Sequence, residues 1–283
     1  MNTTTQQANA DQIALWNGSA GRGWVEAQDS LDRLFEPFEE LLVEAVAASN
    51  ARDVLDVGCG TGSTTLAAAR RVGAGGTSLG VDISEPMIAL ARERAGLEST
   101  PPKFLCADAQ TYAFAPASFD LIVSRFGVMF FDHSVRAFAN LLRATKPGGG
   151  LHVIAWRHPA DNPFMTAAER AAAPLLPQLP ARNADEPGQF AFADRERVRA
   201  ILENSGWTEI DIRPLDVECV LPTSELDAYL IRLGPLARVL KQLDEPTRAR
   251  VLTAVRAAFG PFVHGAEVRF TAACWTIRAR AAA

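Results

Sequence analysis

Val54-Leu-Asp-Val-Gly-Cys-Gly-Thr-Gly-Ser63 is the stretch on which the reading of this chain turns. Asp53–Val57 is a short apolar strand that runs straight into Gly58, Gly60 and Gly62, and residues 63–72 then have helical character until Gly73, Gly75 and Gly76 stop them. Strand, glycine turn and helix in that order place the turn at the carboxyl edge of a sheet, where open α/β folds bind ligands. Glycines there take backbone angles that other residues avoid and let a ligand approach the main chain.

Working outward, the same alternation repeats. Ser78–Asp82 is a second strand, and Ser84 caps the helix after it, with Pro86 tolerated in the first turn. Lys103–Ala107 and Phe119–Ser124 are the third and fourth strands. Val135, Phe138, Ala139 and Leu142 mark an amphipathic helix, Lys146-Pro-Gly-Gly-Gly150 stops it, and Leu151–Trp156 is a fifth strand. Strands alternating with helices predict a doubly wound, mostly parallel sheet covered on both faces.

The flanks differ. Residues 1–18 are polar and are expected to lack fixed structure, whereas Leu31, Leu34, Phe35, Phe38, Leu42, Ala45 and Val46 form an amphipathic helix. After Trp156, residues 158–192 read as an irregular, partly helical excursion broken by Pro159, Pro163, Pro174, Pro177, Pro180 and Pro187. Asp194 caps a helix with Val198, Ile201 and Leu202 inward, Thr208–Arg213 alternates as a strand, residues 224–259 are helical, and Val268–Ile277 is a last strand. The expected organisation is an N-terminal helical cap, 1–50, on a domain, 51–283, with lid insertions at 158–192 and 222–263.

Composition sets the outer limits. Of 283 residues, 48% are apolar and 22% charged, which excludes a disordered chain, and a net charge of −5 argues against broad binding to a nucleic-acid backbone. No apolar run is long enough to span a bilayer, and the N-terminus lacks the pattern of a secretory signal. Cys59, Cys106, Cys219 and Cys274 are far apart and form no CxxC or Cys/His cluster, so neither a disulfide framework nor a metal is expected, and a cytoplasmic location fits.

Two ligand classes use glycine turns of this kind. Dinucleotide sites favour GxGxxG, but here the third glycine comes one residue early and Ser63 follows. Asp56, before the first glycine, would repel a pyrophosphate and could receive a cationic amino group. Asp82 ends the second strand, where a carboxylate accepts hydrogen bonds from ribose hydroxyls, an arrangement that serves NAD equally well. At the third strand tip Asp108 can accept from an exocyclic amine and the Ala109 N–H can serve a ring nitrogen. Ile83 and Met87 can sandwich a purine or simply pack in the core.

The segments DVGCGTG, GVDIS, ADAQ, SFDLIVSRFGVMFF and KPGGGLHVIAW together resemble the class I S-adenosylmethionine-dependent methyltransferases, and within them the ubiquinone/menaquinone-type branch, over residues 52–156. The resemblance implies a seven-stranded Rossmann-like sheet with a reversed last strand and S-adenosyl-L-methionine as cofactor. It implies that Gly58, Gly60, Thr61 and Gly62 line the methionine portion, that Asp82 holds the ribose, and that Asp108 and Ala109 read the adenine. Ser124 and Arg125 fall at the fourth strand tip, where family members line the methionine end. In the quinone enzymes a Ser directly precedes the Phe-Gly pair. Here Arg125 stands there, which argues against a quinone precursor.

Methyl transfer from a sulfonium mainly needs alignment and exclusion of water. If a general base takes part, His133 and His158 are the candidates by position at the carboxyl edge, whereas His152 reads as a core histidine and His264 as structural or exposed. The Trp16-Asn-Gly-Ser-Ala-Gly-Arg-Gly-Trp24 stretch suggests a turn folded over the cofactor, with Trp16, Arg22 or Trp24 near the methionine moiety. Phe164, Met165, Phe190, Phe192, Leu226, Tyr229 and Leu233 are expected in an acceptor pocket for an apolar or aromatic small molecule. A homodimer is compatible with all of this. The competing readings are a non-catalytic cofactor- or partner-binding protein and a nicotinamide-dependent reductase, the latter disfavoured by Asp56 and the glycine spacing.

Overall fold

The structure, a computed structural model, describes residues 9–178 and 186–283. Three helices come first: α1 (Ala10–Asn17), α2 (Ser19–Glu26) and α3 (Gln28–Ala48). The chain continues through β1 (Asp53–Val57), α4 (Ser63–Val72), β2 (Thr77–Asp82), α5 (Glu85–Ala95), β3 (Lys103–Cys106), β4 (Phe119–Arg125), α6 (Ser134–Ala144) and β5 (Thr145–Trp156). Then follow α7 (Pro163–Ala172), α8 (Arg195–Asn204), β6 (Thr208–Pro222), α9 (Leu226–Arg232), α10 (Gly234–Leu240), α11 (Glu245–Phe259), β7 (Val263–His264) and β8 (Glu267–Arg280).

Val54, Leu55, Asp56 and Val57 are all buried, because β1 lies inside the sheet with both faces covered. The strand order is β3-β2-β1-β4-β5-β8-β6, with the short β7 paired to β8. β3, β2, β1, β4 and β5 run parallel, and β8 is antiparallel to both β5 and β6. The expected doubly wound sheet with a reversed last strand is therefore present, with the two-residue β7 as an eighth strand. Strand order reverses between β1 and β4, which places the crevice at their carboxyl tips. No helix among the described residues is long and apolar enough to cross a membrane.

Several elements depart from the sequence reading. Residues 10–17 are helical although none is buried, since α1 is held by distant partners: Asn17 Nδ2 donates to the Ile83 carbonyl (3.0 Å) and Asn17 Oδ1 accepts the Glu85 N–H (2.9 Å), capping α5. The buried stripe of α6 is Ala137, Phe138, Leu141 and Ala144, rotated from the expected one, and Val135 and Ala139 are exposed. Alanines carry too little hydrophobic weight to define a face from the sequence. Pro180, like residues 1–8, lies outside the described residues.

The largest difference is the length of β6 and β8. β5 ends at Trp156 opposite Cys274, but β6 and β8 continue pairing from Asp216↔Ala273 to Pro222↔Glu267. Pro214 hides this continuation from a sequence reading, yet a proline is tolerated on an edge strand. The hairpin thus stands beyond the carboxyl tips of the parallel strands, and its Phe270 stacks on Phe164 of α7 at 3.7 Å and 4°. On the opposite side α3 lays Phe35 and Phe38 against Phe126 and Trp156, whose rings stack at 4.6 Å.

Phe38 is fully buried between α3 and the strand tips. Phe38→Ala should cost about 3–5 kcal/mol of unfolding free energy, read as a lowered urea midpoint with an unchanged slope.

Candidate functional site

Two glycines make the crevice. Gly58 follows β1 with φ of +68°, and a Cβ on it would stand 2.5 Å from the Gly127 Cα beyond β4. A Cβ on Gly127 would in turn meet the Val57 carbonyl at 2.5 Å. The two strand tips therefore approach backbone to backbone, and only glycine fits at either place. The N–H groups of Gly58 and Cys59 both donate to the Val81 carbonyl (2.8 and 3.1 Å), which turns the loop over the tip of β2. Gly60, at φ of +55°, opens onto space, with the Met87 sulfur 3.8 Å from where a Cβ would be. Gly62 serves packing instead: its Cβ position is 2.8 Å from the Phe104 ring and 3.0 Å from the Ala91 Cβ, and it lines neither of the two cavities described below.

Above the strand tips lies a cavity of about 950 Å³. Its floor includes Gly58, Gly60, Asp82, Ile83, Met87, Asp108, Ala109 and Arg125. Asp82 is buried, and its two oxygens accept the N–H groups of Gly60 (2.8 Å) and Ser84 (2.9 Å). Burial raises its pKa above the ordinary carboxylate value, against those backbone donors. Each carboxylate oxygen has a second lone pair to offer. Asp108 accepts the Gln110 N–H (2.9 Å) and the Thr111 hydroxyl (3.0 Å), and Asn9 Nδ2 also contacts it, so the start of the helical cap crosses the tip of β3.

A smaller cavity of about 30 Å³ adjoins the first and is lined by Trp24, Leu31, Asp32, Asp56, Gly58, Cys59, Gly60, Thr61, Thr64, Arg125 and Phe126. Asp56 accepts the Thr65 hydroxyl at 2.6 Å, and burial lifts its pKa to about 6. Arg125 lies over the Phe35 ring at 5.9 Å and donates to the Phe35 carbonyl at 3.3 Å, so its hydrogen bond goes to a neutral partner. Burial lowers its pKa while Glu39, Asp32 and Asp56 act in the opposite sense. Arg94 pairs with Asp32 (2.6 Å) and donates to the Thr61 carbonyl (2.7 Å), and Glu39 contacts the Ser63 hydroxyl. Burial and the Asp82 and Asp56 charges push the Cys59 thiol up, which leaves it no nucleophile.

The remaining sequence candidates separate. Ser124 is fully buried, donates to the Val57 carbonyl (2.7 Å) and accepts the Gly127 N–H (3.1 Å), so it ties the two glycine turns together and lines neither cavity. His133 also lies outside both cavities: its ring is exposed beside Asp132 (3.4 Å) and its backbone N–H donates to Gln110 Oε1. His158 lines the main cavity, but its Nδ1 accepts the Ala160 N–H at 3.2 Å. In the neutral ring that bond puts the proton on Nε2. In that tautomer the ring offers a donor at Nε2, and His158 is the one of the two candidate histidines that lines the cavity. His152 is held by Thr276 (2.8 Å), and burial depresses its pKa to about 4.

Trp16 and Trp24 both line the main cavity, whereas Arg22 is exposed and donates to the Asn17 carbonyl. Phe164, Met165, Phe190, Tyr229 and Leu233 form part of its upper wall, joined by Phe259. Phe192 and Leu226 are buried elsewhere, Phe192 against Phe138. A sequence reading misses Trp156, Met129 and Phe126, which also line the cavity. Phe126 has φ of +64°, a conformation costly for a bulky residue and one found at functional sites; the rings of Phe35, Phe38 and Trp156 hold it there. The signal available was its place directly before Gly127.

Comparison with known proteins agrees with this geometry. A family described as a methyltransferase domain matches residues 54–149. The chain is 29% identical over 188 residues to a demethylmenaquinone methyltransferase of Renibacterium salmoninarum, covering 63% of this chain and 76% of that protein. It is 24% identical over 224 residues to the ubiquinone/menaquinone biosynthesis C-methyltransferase UbiE of Escherichia fergusonii, covering 74% and 88%. The crystal structure of the YcgJ protein of Bacillus subtilis shares the fold, with a TM-score of 0.56 at 15% identity over 87% of this chain and 98% of that one. Sheet order, glycine turn, the acidic residues of three successive strand tips and these matches converge: the chain is a class I S-adenosylmethionine-dependent methyltransferase, similar to the ubiquinone/menaquinone-type branch.

Proposed function

We propose that this enzyme transfers its methyl group to a small apolar or aromatic acceptor held in the upper part of the main cavity. The observation that supports this is continuity: one cavity of about 950 Å³ runs from Gly58, Asp82 and Asp108 to apolar walls of Phe164, Met165, Tyr229, Leu233 and Phe259. Such a cavity suits an enclosed small molecule better than a nucleic acid. S-adenosyl-L-methionine supplies a methyl group on a sulfonium, a good leaving group.

The residues present suit that cofactor. In this reading Asp82 accepts from the ribose hydroxyls with the lone pairs that Gly60 and Ser84 leave over, Asp108 and the Ala109 N–H read the adenine, and Ile83 and Met87 flank it. Gly58, Gly60 and Thr61 line the methionine portion. Arg125, with no carboxylate as its hydrogen-bond partner, takes the α-carboxylate, and Asp56 takes the α-ammonium. The helical cap (1–50) and the lid segments (158–192 and 222–263) exclude water, and the His158 Nε2–H donates to an oxygen on the acceptor. Alignment, more than proton transfer, carries the rate.

A quinone-type ring belongs to the same acceptor class and is favoured by the activities of the two relatives. The Arg125 position argues for a different member of the class.

Calorimetric titration with S-adenosylmethionine, S-adenosylhomocysteine and NADH tests the donor site, before acceptors are screened by product mass. The first two should bind and NADH should not. Asp82→Ala should weaken both by at least tenfold, as expected for hydrogen bonds to a charged group. Binding of NADH alone would overturn the reading.

Asp56 adds a pH test. Its pKa of about 6 means that the carboxylate gains a proton, and loses its attraction for a cation, as the pH falls through that value. S-adenosylmethionine affinity should therefore drop about tenfold between pH 7.5 and pH 5. Asp56→Asn should bind more weakly at pH 7.5 and show a flatter profile, and a wild-type profile without the drop would remove Asp56 from ammonium recognition.

A further inference from the structure

The two cavities meet along a rim, and Trp24, Leu31, Gly58, Gly60, Arg125 and Phe126 line both of them. The smaller one, about 30 Å³, has room for a charged head group, since one water occupies roughly 10–15 Å³ on the same kind of measure. Asp32, Asp56 and Arg125 give it charges of both signs. The larger one has Asp82 just beyond the rim. If the donor site is as proposed above, on which this inference rests, the amino-acid end enters the small cavity and the ribose lies at Asp82. The sulfonium, which joins them, then falls at the rim.

We propose that Trp24 receives the positive charge of the donor at this rim through a cation–π contact, so that the site distinguishes the charged donor from its neutral demethylated product. An aromatic face is the side chain suited to a cation that cannot donate a hydrogen bond. Two further observations support the assignment. Trp24 is braced: its ring meets Trp16 edge-on at 6.2 Å and 75°, and Trp16 meets Phe130 at 5.0 Å and 88°. Its neighbour Gly23 lies so close to the Arg232 carbonyl that a Cβ there would be 2.5 Å away, which pins α2 against the end of α9. The charges around the small cavity are also unbalanced. Asp32, Glu39, Asp56 and Asp82 act on this region against Arg94 and Arg125, an excess of two negative charges. A zwitterionic head group leaves that excess unchanged, and a sulfonium offsets part of it.

The consequence concerns release. In transfer, an electron pair on the acceptor forms the new bond to the methyl carbon, and the electrons of the broken carbon–sulfur bond stay on sulfur. The sulfonium becomes a neutral thioether. The contact with Trp24 then loses its charge at the moment the donor becomes product, which weakens the hold on S-adenosylhomocysteine relative to S-adenosylmethionine.

The test is calorimetric titration of both ligands, at pH 7.5, into the wild type, Trp24→Leu and Trp24→Phe. Trp24→Leu should weaken S-adenosylmethionine about tenfold more than S-adenosylhomocysteine, and Trp24→Phe should recover most of that difference. Equal losses for the two ligands in Trp24→Leu would make Trp24 a packing residue of the cap and overturn the inference. Failure of the wild type to bind either ligand would instead overturn the donor-site reading and this inference with it. Should Trp24→Leu not fold, the wild type is titrated with an analogue bearing an ammonium group in place of the sulfonium. Binding tighter than S-adenosylhomocysteine supports the inference, and equal or weaker binding overturns it.

Discussion

Two loops cross without side chains at the centre of this molecule. Gly58 and Gly127 bring the tips of β1 and β4 within backbone contact, and Ser124 fastens the arrangement by bonding to Val57 and Gly127 at once. A methyl group at either glycine would force the tips apart by about an ångström. Everything the site offers follows from that closeness. Gly60 can point its N–H at Asp82, Arg125 can reach the cavity of Asp56, and Phe126 is turned inward at a backbone angle that its aromatic neighbours must enforce.

The electrostatics beneath the cavity are organised in layers. Arg94 is committed to Asp32 and to the Thr61 carbonyl, which fixes the end of the glycine turn. Arg125 bonds only weakly to a carbonyl and lies over a phenyl ring. Burial disfavours charge on Asp56 and on Arg125 alike, and each helps the other to keep it. A desolvated, oppositely charged pair of this kind is costly unless a ligand completes it. That is a reason for such groups to persist in a binding site when fold stability alone would favour apolar replacements.

The walls of the cavity join segments distant in sequence. α2 rests on the end of α9 through Gly23, Arg232 lies near Glu26 at 3.7 Å, and Arg33 of α3 pairs with Glu225. The insertion between β6 and β8 is lifted to this height by the extension of those two strands, and Phe164 stacked on Phe270 holds α7 to them. Exposed ion pairs such as Arg232–Glu26 contribute little individually. The aromatic and backbone contacts therefore set the position of these segments.

Local spacing in the sequence was enough for the existence and order of the five strands between Asp53 and Trp156, the glycine turn and the three acidic tips, because a doubly wound sheet writes itself as alternating short apolar runs. It missed that β5 begins at Thr145 and runs through the Lys146-Pro-Gly-Gly-Gly150 segment read as a stop, since glycines and a proline carry no apolar period. The same information placed Asp56, Asp82, Asp108 and Arg125 at one edge, since parallel strands all end on the same side. It did not reveal that Gly62 and Ser124 face packing, that the His133 ring is exposed outside the cavity, or that the His158 Nδ1 is taken by the Ala160 N–H. Those depend on which atom of a side chain meets which neighbour, and such contacts join residues far apart in the chain. The tertiary structure alone decided the height of the β6–β8 hairpin, the helix before Gly18 and the placing of Trp24 and Arg125 on the rim shared by the two cavities. Each of these is held by long-range pairing, capping or stacking that leaves no period in the local sequence.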